Sequence, residues 1–166
     1  SQFQRVTDYI ASAKQQGATI RVGAAPDHAI NDTSSAHKDG FFVKPTLLVD
    51  VTSDMTIARE EVFGPVLSIL QWDDEDEMID IANGLDVGLT ASIWTESLDT
   101  AMRLTGKIQA GYVWVNDSSD HYLGAPFGGM KSSGQGREEC LEELLAYTEA
   151  KTCLLYTSPS PRDYGT

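Results

Sequence analysis

A chain of 166 residues with 41% apolar side chains is long enough for one domain with a real hydrophobic core. Its 25 acids against 12 bases leave a net charge of −13, which argues against nucleic acid or an anionic membrane surface as a partner, because both select clustered Lys and Arg. The longest apolar runs are far too short to cross a bilayer and no signal-peptide pattern opens the chain, so a cytoplasmic protein is expected.

The chain opens on Ser1, not Met, and its first helix starts at once, so both ends are expected to be cut. Phe3, Val6, Ile10 and Ala13 fall on one face of that helix, and Gly17 ends it. ATIRVGA (18–24) reads as a short strand. Residues 25–40 read as a polar loop carrying His28 and His37, both expected to be solvated. PTLLVDV (45–51) is a second strand, and SDMTIAREE (53–61) a short helix opened by a capping pair. PVLSILQW (65–72) reads as a buried strand. EDEMIDIANG (75–84) is a helix with Met78, Ile79 and Ala82 inward and Gly84 past its end. The run Asp73-Asp74-Glu75-Asp76-Glu77 reads as the solvated start of that helix, where the dipole favours acids. A metal site is not expected there, because no Gly-punctuated ligand loop follows.

LTASIWT (89–95) is a strand with Leu89, Ala91 and Ile93 on one face. SLDTAMRLTG (97–106) is a helix whose Leu98, Ala101, Met102 and Thr105 share a side, and GYVWVN (111–116) is another strand. A Gly-rich loop leads to a final helix, REECLEELLAYTEA (137–150). The sequence then turns Ser-, Pro- and Arg-rich without period, so residues 153–166 are expected to be a non-native, disordered tail. Strands alternating with helices of this length predict an α/β fold, a largely parallel sheet with flanking helices and right-handed crossovers. The two cysteines, Cys140 and Cys153, have neither CxxC nor Cys-His spacing, so neither zinc nor a disulfide is expected.

Chemistry in such sheets gathers at the carboxyl ends of strands, which points to the loop after Asn116. In YLGAPFGGMKSSGQGREE (122–139), Gly124 and Gly129 have Walker spacing, but Met130 sits where the Lys belongs and Lys131 is one late. The remaining readings are a tight connection whose glycines satisfy awkward backbone angles, or a binding wall with Pro126 and Phe127 held by Gly128-Gly129. His121, beside this loop, is a candidate for a pocket border. Glu60 and Glu61, just ahead of VFGPV, read as a solvated helix end or as a ligand clamp. In an extended stretch Glu61 and Phe63 point the same way, which suits a ligand with a diol and a flat face, such as a nucleoside. Acid–base work by the pair has no His nearby in sequence to support it. Cys140 sits among Glu138, Glu139, Glu142 and Glu143, an acidic setting that disfavours the thiolate and makes it a poor nucleophile.

Taken together, EEVFGPV, GYVWVN and PFGGMKSSGQGRE, with FFVKPTLL before them and AYTEAKT after, resemble the C-terminal half of the aldehyde dehydrogenase superfamily over residues 1–152. The resemblance implies part of a catalytic domain whose full-length enzymes oxidise a small aldehyde to a carboxylate with NAD or NADP. A cysteine thiolate forms a thiohemiacetal, hydride leaves to the nicotinamide, and a general base activates water. It implies that Glu61 accepts hydrogen bonds from the nicotinamide ribose and that Phe63 packs near the nicotinamide. It also implies that Phe127 lines the aldehyde tunnel, with His121 and Tyr122 influencing substrate choice, and that Glu149 supports the water path. Asn116 matches a W-x-N strand end and is read as structural.

The family's nucleophile, base, oxyanion Asn and Gly-rich cofactor segment all lie upstream, so no catalytic residue and no metal ligand is expected here. The resemblance thus predicts an inactive piece whose partners are an N-terminal cofactor domain and, in the full-length enzyme, the other subunits of a homodimer or homotetramer. Exposed cleft lining around Phe63 and Phe127 predicts marginal stability and self-association. Two other readings are an acidic α/β binding module without catalysis and a hydrolase that uses Glu60 or Glu61.

Overall fold

The computed structural model describes residues 1–23 and 40–155; His28, His37 and the tail from residue 156 onward lie outside the described residues. The chain divides into two units, Ser1–Leu85 and Asp86–Thr166.

In the first unit, α1 (Gln2–Gln15) begins at Ser1, whose hydroxyl oxygen accepts from the Gln4 N–H at 3.3 Å. Val6, Ile10 and Ala13 are buried, as their helical spacing requires. Phe3 is half-buried and meets Phe41 edge-on at 5.9 Å. Gly17 (φ 111°) ends the helix in the left-handed region. β1 (Thr19–Val22) pairs antiparallel with β2 (Thr46–Val49), and β2 pairs parallel with β3 (Val66–Ser68), in the order β1-β2-β3. Leu48 on the central strand is fully buried and packs with Ala13, Ala18, Val51, Met55 and Ile57.

α2 (Thr56–Arg59) is shorter than its sequence span, and Ser53-Asp54 does not cap it. Asp54 instead accepts from the Thr52 hydroxyl, which lowers its carboxyl pKa. The orphan Thr56 N–H is satisfied by Gln16 Oε1 at 2.8 Å, so the cap comes from the end of α1. β3 also departs from the expected buried strand: Leu67 is 64% exposed, because β3 is the edge of a three-stranded sheet and has only β2 beside it.

α3 (Glu75–Asn83) starts where the acids predict. Asp74 accepts from the Glu77 N–H at 2.9 Å, and Glu77 Oε2 accepts from the Asp73 N–H at 2.9 Å, a capping box shifted by one residue on its return bond. Met78 and Ile79 are half-buried, but Ala82 is exposed and Gly84 caps the helix in the right-handed region. Replacing Asp74 by Ala is expected to lower stability by about 1 kcal/mol, read from the midpoint of urea unfolding.

In the second unit, β5 (Thr90–Ile93) is the strand expected at 89–95, and β4 (Val87–Gly88), just before it, was not foreseen. α4 (Leu98–Lys107) crosses from β5 to β6 (Tyr112–Val115), and the two strands run parallel in register from Thr90↔Tyr112 to Ile93↔Val115. Ser97 caps α4 by accepting from the Thr100 N–H at 3.2 Å. The helix buries Ala101 and Leu104, while Leu98 and Met102 are exposed. Its apolar stripe is wider than one contact face, and the side against the sheet is the one through Leu104.

β7 (Met130–Lys131) was not foreseen in the Gly-rich loop; it pairs antiparallel with β4. α5 (Leu141–Ala146) is only the centre of the expected 137–150 helix. Glu139 has φ 63°, which no α-helix accommodates, and Glu138 forms a bridge with Phe127 instead of a helical turn. The fold is α/β: the parallel pairs β2–β3 and β5–β6 are those the alternation predicts, while β1 adds antiparallel to the first of them and β4–β7 is a separate antiparallel pair.

Candidate functional site

The acidic turn belongs to the first unit. α2 ends at Glu60, which is already extended (φ −117°, ψ 144°). Phe63 has φ 52°, a costly backbone state for an aromatic residue, and the two-residue alternation that would align it with Glu61 stops there. The strained segment is held by α1. Gln2 Nε2 donates to the Val62 and Phe63 carbonyls at 3.0 and 2.7 Å, and Arg5 Nη2 donates to the Glu61 carbonyl at 3.1 Å. The chain passes so close to α1 that a Cβ at Gly64 would lie 2.5 Å from Val6 Cγ2.

The two carboxylates are not equivalent. Glu60 Oε2 accepts from the Tyr9 hydroxyl at 2.6 Å, which raises the pKa of that phenol. The Arg5 guanidinium also lies over the Tyr9 ring, 5.4 Å from its centroid. Glu61, by contrast, is exposed and its carboxylate has no partner among the described residues. The Phe63 ring is 71% exposed. The carboxylate can accept hydroxyl donors and the exposed ring can pack against a flat face, but the turn at Phe63 removes the shared direction that an extended stretch would give them.

The second unit holds a different constellation. Tyr112 and Trp114 on β6, with His121 and Phe127 from the following loop, form an aromatic cluster. His121 lies 4.5 Å from Phe127, 5.9 Å from Tyr112 and 6.0 Å from Trp114, centroid to centroid. Its Nδ1 is 2.8 Å from Glu139 Oε1. Phe127 is therefore half-buried beneath these rings, not exposed as the sequence suggested. Its backbone is clamped: the Phe127 N–H donates to Glu138 O at 3.0 Å and the Glu138 N–H returns to Phe127 O at 2.7 Å.

Tyr122, next to His121, is 58% exposed, and its ring joins none of these pairs. Glu149 follows α5, exposed and without a hydrogen-bond partner among the described residues. Asn116 (φ 55°) has its amide engaged with one residue: Oδ1 accepts from the Thr95 N–H and Nδ2 donates to the Thr95 carbonyl, both at 2.8 Å. That geometry is structural. Cys140 is half-buried at the start of α5, and its proximity lowers the pKa of the Glu142 carboxyl.

Glu139 and the braces Gln2, Arg5 and Tyr9 were missed in the sequence. The braces left a trace, since they share a polar stripe of α1, but their partners lie 51 to 61 residues away. Glu139 left none. Among the described residues no group of three or more His, Cys, Asp or Glu is arranged to hold a metal, and no helix is long and apolar enough to cross a membrane.

Comparison with known proteins identifies relatives of the chain. The aldehyde dehydrogenase family model matches residues 1–153. Aldehyde dehydrogenase tropH of Talaromyces stipitatus is 51% identical over 148 residues, covering 89% of this chain and 28% of that protein. Among solved structures, the NAD+ complex of an aldehyde dehydrogenase from Bacillus cereus is 42% identical, with a TM-score of 0.77 over 89% of this chain and 28% of its own. Betaine aldehyde dehydrogenase from Staphylococcus aureus in complex with NAD+ is 34% identical, with a TM-score of 0.85 over 99% of this chain and 32% of its own. The chain thus spans less than a third of the length of each relative.

Proposed function

The chain belongs to the aldehyde dehydrogenase family, and from that premise we propose that it is the C-terminal part of the catalytic domain of an NAD(P)-dependent enzyme that oxidises an aldehyde to a carboxylate. The observation that carries the reading is the braced acidic turn, where Gln2 and Arg5 fix the backbone and leave Glu61 and Phe63 available. NAD or NADP, when bound, supplies the hydride acceptor. Glu61 accepts hydrogen bonds from the hydroxyls of its nicotinamide ribose, and Phe63 packs its ring near the nicotinamide. A carboxylate that accepts two hydroxyls fixes the ribose in orientation as well as in place, and orientation is most of what a hydride-transfer site requires from the protein.

Phe127, His121 and Tyr122 border the path of the aldehyde, and Glu149 supports the water path. The nucleophilic cysteine, the general base and the oxyanion donor come from sequence upstream of Ser1, so the 166-residue chain turns over no aldehyde alone. The full-length enzyme is proposed to be a cytoplasmic homodimer or homotetramer. The test is spectrophotometric: with its upstream sequence restored, the enzyme reduces NAD or NADP in the presence of an aldehyde. No reduction with any aldehyde would overturn the assignment, and so would turnover by the 166-residue chain itself.

A further inference from the structure

We infer that Glu139 is a positioning residue for His121, and that the pair selects aromatic aldehydes carrying a ring hydroxyl. The inference rests on the reading of residues 121–127 as a border of the aldehyde path and names the substrate class that this border fits.

Glu139 is held in an unusual way. It is a non-glycine residue at φ 63°, and its backbone is tied at both ends. The Glu139 N–H donates to Glu143 Oε2 at 2.6 Å, and the Glu139 carbonyl accepts from the Gly124 N–H at 2.8 Å. Its side chain is therefore aimed, with Oε1 2.8 Å from His121 Nδ1. The second oxygen, Oε2, is buried and has no partner among the described residues. A positive φ and an unmatched buried acceptor at one residue are two costs that packing alone does not explain.

The carboxylate oxygen can only accept here, so His121 Nδ1 donates to it, and this fixes which ring nitrogen is left. His121 Nε2 has no partner among the described residues, and the side chain is 37% exposed. The neighbouring indole is occupied, since Trp114 Nε1 donates to the Asp120 carbonyl at 2.8 Å. The surface thus groups the rings of Tyr112, Trp114 and Phe127 around the directed imidazole of His121. Flat rings take an aromatic guest in offset or edge-on packing.

The imidazole tip narrows the guest further. Nε2 accepts when the imidazole is neutral and donates when it is charged. A hydroxyl matches both states, a carbonyl or ether matches one, and a bare ring matches neither. A site built around a hydrogen bond to a hydroxyl discriminates strongly against the analogue that lacks it.

The experiment compares benzaldehyde with the three hydroxybenzaldehydes on the full-length enzyme, measuring kcat and KM separately. The wild type should bind at least one hydroxylated isomer better, with a KM about tenfold lower than for benzaldehyde. In Glu139→Leu the imidazole loses its anchor and the ratio of the two KM values should fall towards one. Glu139→Gln, whose amide oxygen still accepts from Nδ1, should restore most of the ratio. His121→Phe keeps a ring in the cluster and removes the polar tip, so it should abolish the preference; it decides the question where Glu139→Leu does not fold. A merely structural Glu139 would shift both aldehydes alike and leave the ratio intact. That result, or a wild type without preference, overturns the inference while leaving the aldehyde oxidation in place. An enzyme that oxidises no aldehyde at all overturns the functional reading and this inference with it.

Discussion

Gly111→Ala is expected to destabilise the second unit strongly. A Cβ on Gly111 would lie 1.8 Å from the Gly128 carbonyl oxygen, with the Gly128 and Gly129 carbonyl carbons at 2.8 and 3.0 Å. All three are backbone atoms, so no rotamer change relieves the clash. Neither side has room to retreat. Gly111 donates to the Gly88 and Leu89 carbonyls at 3.1 Å, and Gly128 itself stands so close to the Gly136 carbonyl that its own Cβ would sit 2.3 Å away. The segment after β6 must separate from its neighbours, at a cost of about 3 kcal/mol or more.

The matched control is Gly106→Ala. Gly106 lies within α4, and a Cβ there meets nothing within 4 Å. This substitution should stabilise the chain slightly, by about 0.5 kcal/mol, because it removes a glycine from the last turn of a helix. Urea unfolding of both variants beside the wild type gives the comparison. Equal midpoints for wild type and Gly111→Ala would show that the close backbone packing of this loop is wrong.

The glycines also illustrate what could and could not be read from the sequence. Awkward backbone angles were a fair expectation for the loop, and Gly124 and Gly134 do have positive φ. Gly128 and Gly129 do not; they are required by the approach of other backbone segments. Local rules found α1, whose apolar spacing and Gly17 stop are written within one stretch. They found the start of α3, because a capping box closes within five residues.

They failed where the deciding partner is distant. The cap of α2 comes from Gln16, 40 residues back. β7 is two residues long and exists only because β4 is available to pair with it. The truncation of α5 follows from the bend at Glu139, whose side chain meets a histidine 18 residues earlier. The candidate site divides in the same way. The motifs singled out Glu61, Phe63 and Phe127, but they carry no record of the braces that hold the first pair or of the carboxylate behind His121.

The two adjacent acids provide the sharpest functional prediction. In the full-length enzyme, Glu61→Gln should raise the KM for NAD or NADP at least tenfold. Charge-assisted hydrogen bonds contribute about 1.5–3 kcal/mol, and about 1.4 kcal/mol corresponds to a factor of ten in affinity. Stability should hardly change, because the Glu61 carboxylate has no partner among the described residues to lose. Glu60→Gln should do the reverse. Its Oε2 takes the Tyr9 hydroxyl at 2.6 Å, so the substitution weakens a link between the end of α2 and α1 and lowers the melting temperature, with a much smaller effect on cofactor KM.

The split also separates dehydrogenase from hydrolase. A hydrolase using the two carboxylates as acid and base would lose turnover with either substitution and keep its cofactor affinity with both. The tyrosine on Glu60 already argues against shared labour, since one of the two acids is tied to the scaffold while its neighbour stands free. Equal effects of the two substitutions on cofactor KM would show that the bracing of this turn does not distinguish them, and the case for Glu61 as the ribose contact would fail.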